Sequence, residues 1–328
     1  MKKFLKISLI LLSVIFIAAV SGYIYLQSEF PKIDKAPDIK IEPTAERLSR
    51  GKYLFNSVFA CVDCHSQRDV NKFSGPVIPG TEGMGGQKLD EEFGLPGTFY
   101  TKNITPAGVG DWTDGELLRA ITEGVSKDGE PLFPLMPYLT YGKADKEDIY
   151  SVIAYMRTLP PVVNEVPKSK PNFPLNFIQR TIPEKNNFSS KPNPLDKIAS
   201  GKYLVDNGGC TDCHTQSEKG EPKPNMFLAG GTQLPLPANM IVTSANLTPD
   251  METGLGKWTK EDFIKKFRAM NELAHENKTI NPGEFNTYMP WSVYAGMTDE
   301  DLGNMYEFLR TIPPVNNRVE KFGEKSKY

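Results

Sequence analysis

The chain has 328 residues, 39% hydrophobic and 24% charged, with 27 Gly, 27 Pro, four Cys and three His. That length accommodates two domains of ordinary size, and the Gly and Pro content points to helical units with long irregular loops rather than extended sheets. The net charge of −2 conceals two acidic stretches: residues 44–165 and 196–320 each carry 12 Lys and Arg against 17 Asp and Glu, which argues against a nucleic-acid partner and leaves a basic protein patch as a candidate.

In chain order, Lys2, Lys3 and Lys6 precede an uncharged run from Ile7 to Leu26, and twenty residues at ~1.5 Å each span about 30 Å, enough for a bilayer core. A cleaved signal peptide is the rival reading. The run is longer than a typical signal core, and the small-residue site Ala19-Val20-Ser21 is followed by further apolar residues. Residues 1–28 are therefore expected to form an uncleaved signal-anchor helix. Lysines on its N-terminal side keep that end cytoplasmic, placing the rest outside a bacterial inner membrane, in the periplasm. No cysteine follows the run, which excludes a lipoprotein anchor.

After a tether over residues 29–43, one unit is written twice. "SRGKYLFNSVFACVDCHSQ" (49–67) matches "ASGKYLVDNGGCTDCHTQ" (199–216), and "KNITPAGVGDWTDGEL" (102–117) matches "ANLTPDMETGLGKWTKEDF" (245–263). "FPLMPYLTYGKADKEDIYSVIAYMRTLPPVVNEV" (133–166) then matches "NTYMPWSVYAGMTDEDLGNMYEFLRTIPPVNNRV" (286–319). Each copy opens with a short helical pattern that runs into Cys-x-x-Cys-His and closes with a stronger one. Ile149, Val152, Ile153 and Met156 fall at i, i+3, i+4 and i+7, as do Leu302, Met305, Tyr306 and Leu309, giving each closing helix one apolar face. Thr298 with Asp301, and Asp145 with Asp148, resemble capping pairs. Pro160-Pro161 and Pro313-Pro314 stop the helices. These signals bound a first domain at 44–166, a Pro-rich linker at 167–195, a second domain at 196–320 and a tail at 321–328.

The two pentapeptides hold every cysteine. A Cys61–Cys64 disulfide would close a tiny loop and leave the adjacent histidine unexplained. One zinc site using all four thiols would draw on pairs 149 residues apart in different copies. Covalent haem attachment accounts for both places: two thiols form thioethers with the porphyrin vinyl groups and the following histidine lies under the iron. Two covalently bound haem c groups are therefore expected, on Cys61, Cys64 and His65 and on Cys210, Cys213 and His214.

One further histidine, His275, cannot serve two equivalent irons, which makes methionine the default sixth ligand. Of the 11 methionines, Met136 in "PLMPY" and Met289 in "TYMPW" align with each other, each followed by proline. The metal ligands are then His65, Met136, His214 and Met289. Met84, Met156, Met226, Met240, Met270, Met297 and Met305 lack register partners and read as packing residues. His275 reads as a surface side chain. The aligned pairs Trp112/Trp258 and Asn103/Asn246 are either packing and turn residues or donors to a haem propionate. No catalytic residue is expected.

The order CxxCH, "NITP", a Gly-Trp pair, "MP" and a helix ending "LPPV" resembles the cytochrome c domains of membrane-bound alcohol, gluconate and related dehydrogenase cytochrome subunits, and the wider group of anchored dihaem c-type cytochromes. The resemblance covers roughly residues 44–166 and 196–319. It implies a mostly α-helical cytochrome c fold, His/Met-ligated iron and electron transfer toward the respiratory chain; with the repeats and the apolar run, the expected architecture is mainly α, two tandem cytochrome c-like domains with long Gly/Pro-rich loops plus an N-terminal transmembrane helix. Those subunits commonly have three such units, whereas this chain has two and carries a true N-terminal anchor, which leaves the dehydrogenase partner undefined. Expected partners are a dehydrogenase or quinol-oxidising complex as donor and an oxidase or small cytochrome as acceptor. The rival from another class is a dihaem enzyme such as a peroxidase, which needs an open iron site and an acid-base histidine for which the chain has no spare residue.

Overall fold

The computed structural model describes residues 2–324 apart from 219 and 277. Its helices, in chain order, are α1 (Lys2–Glu29), α2 (Ala45–Tyr53), α3 (Cys61–Cys64), α4 (Pro106–Val109), α5 (Asp114–Glu123), α6 (Tyr138–Tyr141), α7 (Lys146–Met156), α8 (Leu175–Ile178), α9 (Lys197–Asn207), α10 (Cys210–His214), α11 (Lys260–His275), α12 (Trp291–Tyr294) and α13 (Asp299–Leu309). Strands are short. β1 (Lys88–Leu89) pairs antiparallel with β2 (Gly97–Tyr100); β4 (Ser217–Glu218) pairs with β5 (Glu221–Pro222), and β6 (Gln233–Leu236), β7 (Met240–Thr243) and β8 (Phe322–Glu324) form a small antiparallel sheet. The remaining strand, β3 (Lys170–Pro171), lies in the linker, which also holds α8.

Contacts divide the chain into two compact units. The smaller comprises Met1–Lys40, Trp112–Lys143 and Lys170–Asn187; the larger comprises Ile41–Asp111, Ala144–Ser169 and Phe188–Tyr328. This division takes Trp112–Lys143 out of the first sequence copy and assigns it to the smaller unit.

Within the smaller unit, α1 is long and apolar enough to cross a membrane. Tyr23 on α1 meets the Phe177 ring on α8 at 5.8 Å. Helix α5 starts with a reciprocal cap, Thr113 Oγ1 accepting from the Glu116 N–H while the Glu116 carboxylate accepts from the Thr113 N–H. It ends at Gly124 in the left-handed region, where a Cβ would stand 2.5 Å from the fully buried Tyr138 ring.

The larger unit is built on two like helix pairs, α2 packed on α7 and α9 packed on α13. The apolar faces read from the sequence are the buried ones, Ile149, Val152, Ile153 and Met156 on α7 and Leu302, Met305 and Leu309 on α13, except that Tyr306 is only half-buried, its hydroxyl reaching out to the Trp258 carbonyl. Each such side chain contributes roughly 1.5–3 kcal/mol when fully buried. The crossings are close because one glycine sits in each: a Cβ on Gly51 would come within 1.9 Å of the Ser151 carbonyl oxygen, and one on Gly201 within 1.9 Å of that of Asn304. Both glycines belong to the repeated "GKYL".

The capping pairs differ from expectation in one respect. Asp145 and Thr298 do cap α7 and α13, their side chains accepting from the Asp148 and Asp301 N–H groups. The carboxylates of Asp148 and Asp301 turn elsewhere. Asp148 takes two bonds from the Arg50 guanidinium, at 2.9 and 2.7 Å, and one from the Tyr203 hydroxyl at 2.9 Å, while Asp301 accepts from the Tyr53 hydroxyl.

Candidate haem-attachment sites

Each Cys-x-x-Cys-His begins at a residue in the left-handed conformation, Ala60 (φ 51°) before α3 and Gly209 (φ 64°) before α10. This turn breaks from the preceding helix and starts a new one, so that both thiols and the histidine follow within five residues. Cys61 and Cys210 are half-buried, whereas Cys64 and Cys213 are exposed, and none of the four is in a disulfide. Burial pushes the Cys61 and Cys210 thiols up to about 12.

Both imidazoles are held alike. His65 Nδ1 lies 2.7 Å from the Lys102 carbonyl oxygen and His214 Nδ1 lies 2.7 Å from that of Ala245. A carbonyl only accepts, so Nδ1 carries the proton and the Nε2 lone pair is left for a metal. Burial holds both rings below the ordinary histidine pKa, which favours the neutral, ligating form. The histidine carbonyls are fixed as well, accepting from the N–H of Gly85 (2.8 Å) and of Gly230 (2.7 Å).

Those glycines close each site. Gly85 (φ 67°) and Gly230 (φ 71°) lie so near the carbonyl groups of Lys102 and Ala245 that a Cβ would come within 2.4 Å of them. Gln67 and Gln216 donate to the Gly85 and Gly230 carbonyls, at 2.7 and 3.1 Å, and Asn164 and Asn317 bond the adjoining Met84 and Ala229 carbonyls at 2.9 Å.

Asn103 and Asn246 are buried turn residues. Asn103 Nδ2 donates to the Val162 carbonyl at 2.8 Å and its Oδ1 accepts from the N–H and hydroxyl of Thr105; Asn246 does the same with Val315 and Thr248. These bonds tie the loop that carries the Lys102 or Ala245 carbonyl to the segment after the closing helix. The amides are thereby engaged by the protein, which favours the turn reading over a propionate contact. Trp258 is half-buried, its carbonyl accepting from the Tyr306 hydroxyl at 2.6 Å. Trp112 lies in the smaller unit, half-buried.

Met136 belongs to the smaller unit and Met289 to the larger, both half-buried. Their carbonyls accept alike, from the Tyr138 N–H at 2.7 Å and the Trp291 N–H at 2.8 Å. Of the methionines assigned to packing, Met156, Met297 and Met305 are buried, while Met84, Met226, Met240 and Met270 are only half-buried. His275 is exposed, its Nδ1 2.8 Å from the Asn271 carbonyl. The two attachment motifs are neighbours in the larger unit, the Cys64 thiol lying within electrostatic reach of Cys213 and Asp212.

The Lys102 and Ala245 carbonyls escape a search for ligating side chains, because a backbone acceptor leaves no residue-type signal. Only the alignment of "KNITP" with "ANLTP" could have pointed to them.

The sequence matches the Cytochrome c family over residues 198–313. A cytochrome c domain is present. Similar proteins include the cytochrome c subunit of the quinone alcohol dehydrogenase of Gluconacetobacter polyoxogenes, 31% identical over 277 residues, which are 78% of this chain and 54% of that protein. The gluconate 2-dehydrogenase cytochrome c subunit of Pantoea cypripedii is 30% identical over 288 residues, covering 81% and 59%. A diheme cytochrome c-type protein of Cereibacter sphaeroides is 29% identical over 195 residues, covering 56% and 62%. The chain thus spans little more than half the length of the two dehydrogenase subunits. A cytochrome c domain implies covalently bound haem c, and the donor set fits: paired thiols one helical turn apart, followed by an imidazole with Nδ1 already engaged. These relatives give no support to the peroxidase alternative.

Proposed function

We propose that the protein is a membrane-anchored dihaem cytochrome c that relays electrons from a dehydrogenase to a further acceptor. Residues 44–166 and 196–320 are its two haem domains, joined by the Pro-rich linker over 167–195. α1 is the single-pass anchor, and the haem domains face the periplasm. A dehydrogenase as donor is favoured over a quinol-oxidising complex, because the relatives include cytochrome c subunits of alcohol and gluconate dehydrogenases.

The observation that carries the reading is the repeated imidazole geometry, a Cys-x-x-Cys-His in each copy with Nδ1 held 2.7 Å from a backbone carbonyl. When bound, haem c supplies one-electron exchange at its iron. Cys61 and Cys64, and Cys210 and Cys213, anchor one group each through thioethers. His65 and His214 would ligate through Nε2, while the Lys102 and Ala245 carbonyls fix the ring tautomer and orientation. Met136 and Met289 provide the sixth ligands. Held by an imidazole and a thioether, each iron would have no place for a substrate, and a thioether would raise the reduction potential relative to a nitrogen donor.

The test uses the full chain matured with haem. Met136→Ala and Met289→Ala should each remove the methionine-to-iron charge-transfer absorbance of one haem and lower one potential, leaving the other nearly unchanged. Unaltered spectra in both variants sink the sixth-ligand assignment. A mass without two added tetrapyrroles sinks the dihaem reading itself.

A further inference from the structure

A loop of the first copy, Arg68 to Val77, closes on itself through a bridge between those two residues and reaches the segment that carries Met289. At its tip stands Ser74, fully buried and in the left-handed region at φ 63°. Its hydroxyl donates to the Met289 carbonyl at 2.6 Å and accepts from the Trp291 N–H at 3.2 Å; its own N–H donates to Asn286 Oδ1 at 2.8 Å. Asn286 returns a bond from Nδ2 to the Lys72 carbonyl at 3.2 Å, and the Ile280 N–H donates to the Asn71 carbonyl at 2.8 Å. Phe73, buried in the same loop, faces the Phe285 ring at 6.1 Å.

Arg68 makes the tip rigid. Its guanidinium donates to the carbonyls of Gly75 (2.7 Å) and Ser74 (2.6 Å) and pairs at 3.2 Å with Asp63, which lies between the two cysteines of the first attachment motif. A chain of direct bonds thus runs from Asp63 through Arg68 and Ser74 to Met289. The arrangement is one-sided: among the described residues, no side chain donates to the Met136 carbonyl. A hydroxyl buried in a backbone conformation that serine rarely adopts, with both its donor and its acceptor capacity spent on one methionine segment, is poorly explained by loop packing alone.

We propose that Ser74 is a positioning residue for the sixth ligand of the second haem, so that the first copy sets how firmly Met289 is held. The proposal rests on the reading of Met289 as that ligand. Losing a buried hydroxyl bond lowers the cost of swinging the methionine away, and an exogenous ligand that competes for its place binds more tightly in proportion.

The probe is imidazole, titrated into the ferric full-length protein and followed through the charge-transfer absorbance, with Met136→Ala and Met289→Ala identifying which signal belongs to which haem. Ser74→Ala is the main variant, since it removes only the hydroxyl; Ser74→Gly, which also loses the Cβ but accepts the positive φ, is the second. Both should raise imidazole affinity about tenfold at the Met289 haem, the factor expected for one buried hydrogen bond, and leave the Met136 haem within twofold. Unchanged affinity in both variants, or equal loosening of both haems, overturns the proposal while the ligand reading stands. If Met289→Ala leaves both absorbances intact, the ligand reading fails and this proposal with it.

Discussion

Gly230 and Gly209 lie on either side of His214, and both have positive φ, yet they should respond differently to a methyl group. At Gly209 a Cβ meets only the end of the Asp212 side chain, at 3.1 Å, and the first copy already has Ala60 in the same conformation. Gly209→Ala should therefore cost about 1 kcal/mol, the penalty for an L-residue in the left-handed region. At Gly230 the same atom would stand 2.4 Å from the Ala245 carbonyl carbon. Either the backbone moves or the carbonyl that orients His214 does. Gly230→Ala should cost about 2–3 kcal/mol in denaturant unfolding of the haem-loaded protein and should also change the visible absorption of haem held at His214. Equal losses for the two substitutions, with unaltered spectra, would contradict the role given to that carbonyl. The cysteines and histidines were legible in the sequence because chemistry restricts them to few residue types. The carbonyls of Lys102 and Ala245 were not, because any residue supplies one. Asn103 and Asn246 were visible as a pair, but only the hydrogen bonds to Val162 and Val315 decided between a turn and a haem contact.

At the scale of elements, the closing helices were read correctly from their 3.6-residue apolar period, whereas the use of their first-turn carboxylates was not. A cap and a tertiary ion pair draw on the same residue types at the same position, and sequence spacing cannot tell them apart. The two carboxylates also differ in what they hold. Asp148 is almost fully buried against the Arg50 guanidinium, so Asp148→Ala strands a charge and should cost about 3–5 kcal/mol. Asp301 faces the neutral Tyr53 hydroxyl, and its removal should cost about 1 kcal/mol. Chemical denaturation of both variants, followed by far-UV circular dichroism, checks the ranking; a reversed order would mean that the guanidinium finds water or another partner. The reciprocal caps at Thr113–Glu116 and Thr259–Asp262 were within reach of sequence reasoning, since both follow the aligned tryptophan by one residue.

For the whole molecule, the uneven charge makes a kinetic prediction. Both sequence copies carry five more acidic than basic side chains, and exposed charges of one sign draw in an oppositely charged partner over distances that shrink to about 10 Å at 0.1 M salt. Electron transfer from the haem-loaded protein to a basic acceptor protein should slow about tenfold between roughly 10 and 200 mM salt, while transfer to a small neutral acceptor should not. Stopped-flow traces of equal salt dependence for both acceptors would remove any steering role for the acidic surface.

The exchange of side chains between the two copies has a consequence for how they hold together. Tyr53, from the opening helix of one copy, bonds Asp301 on the closing helix of the other, and Tyr203 bonds Asp148 in return. Residue i of one half meeting j of its twin, while j meets i, is the rule of a symmetric homodimer interface. The two halves therefore brace each other as paired subunits would, with Arg50 in the place that Ser200 takes in the second copy.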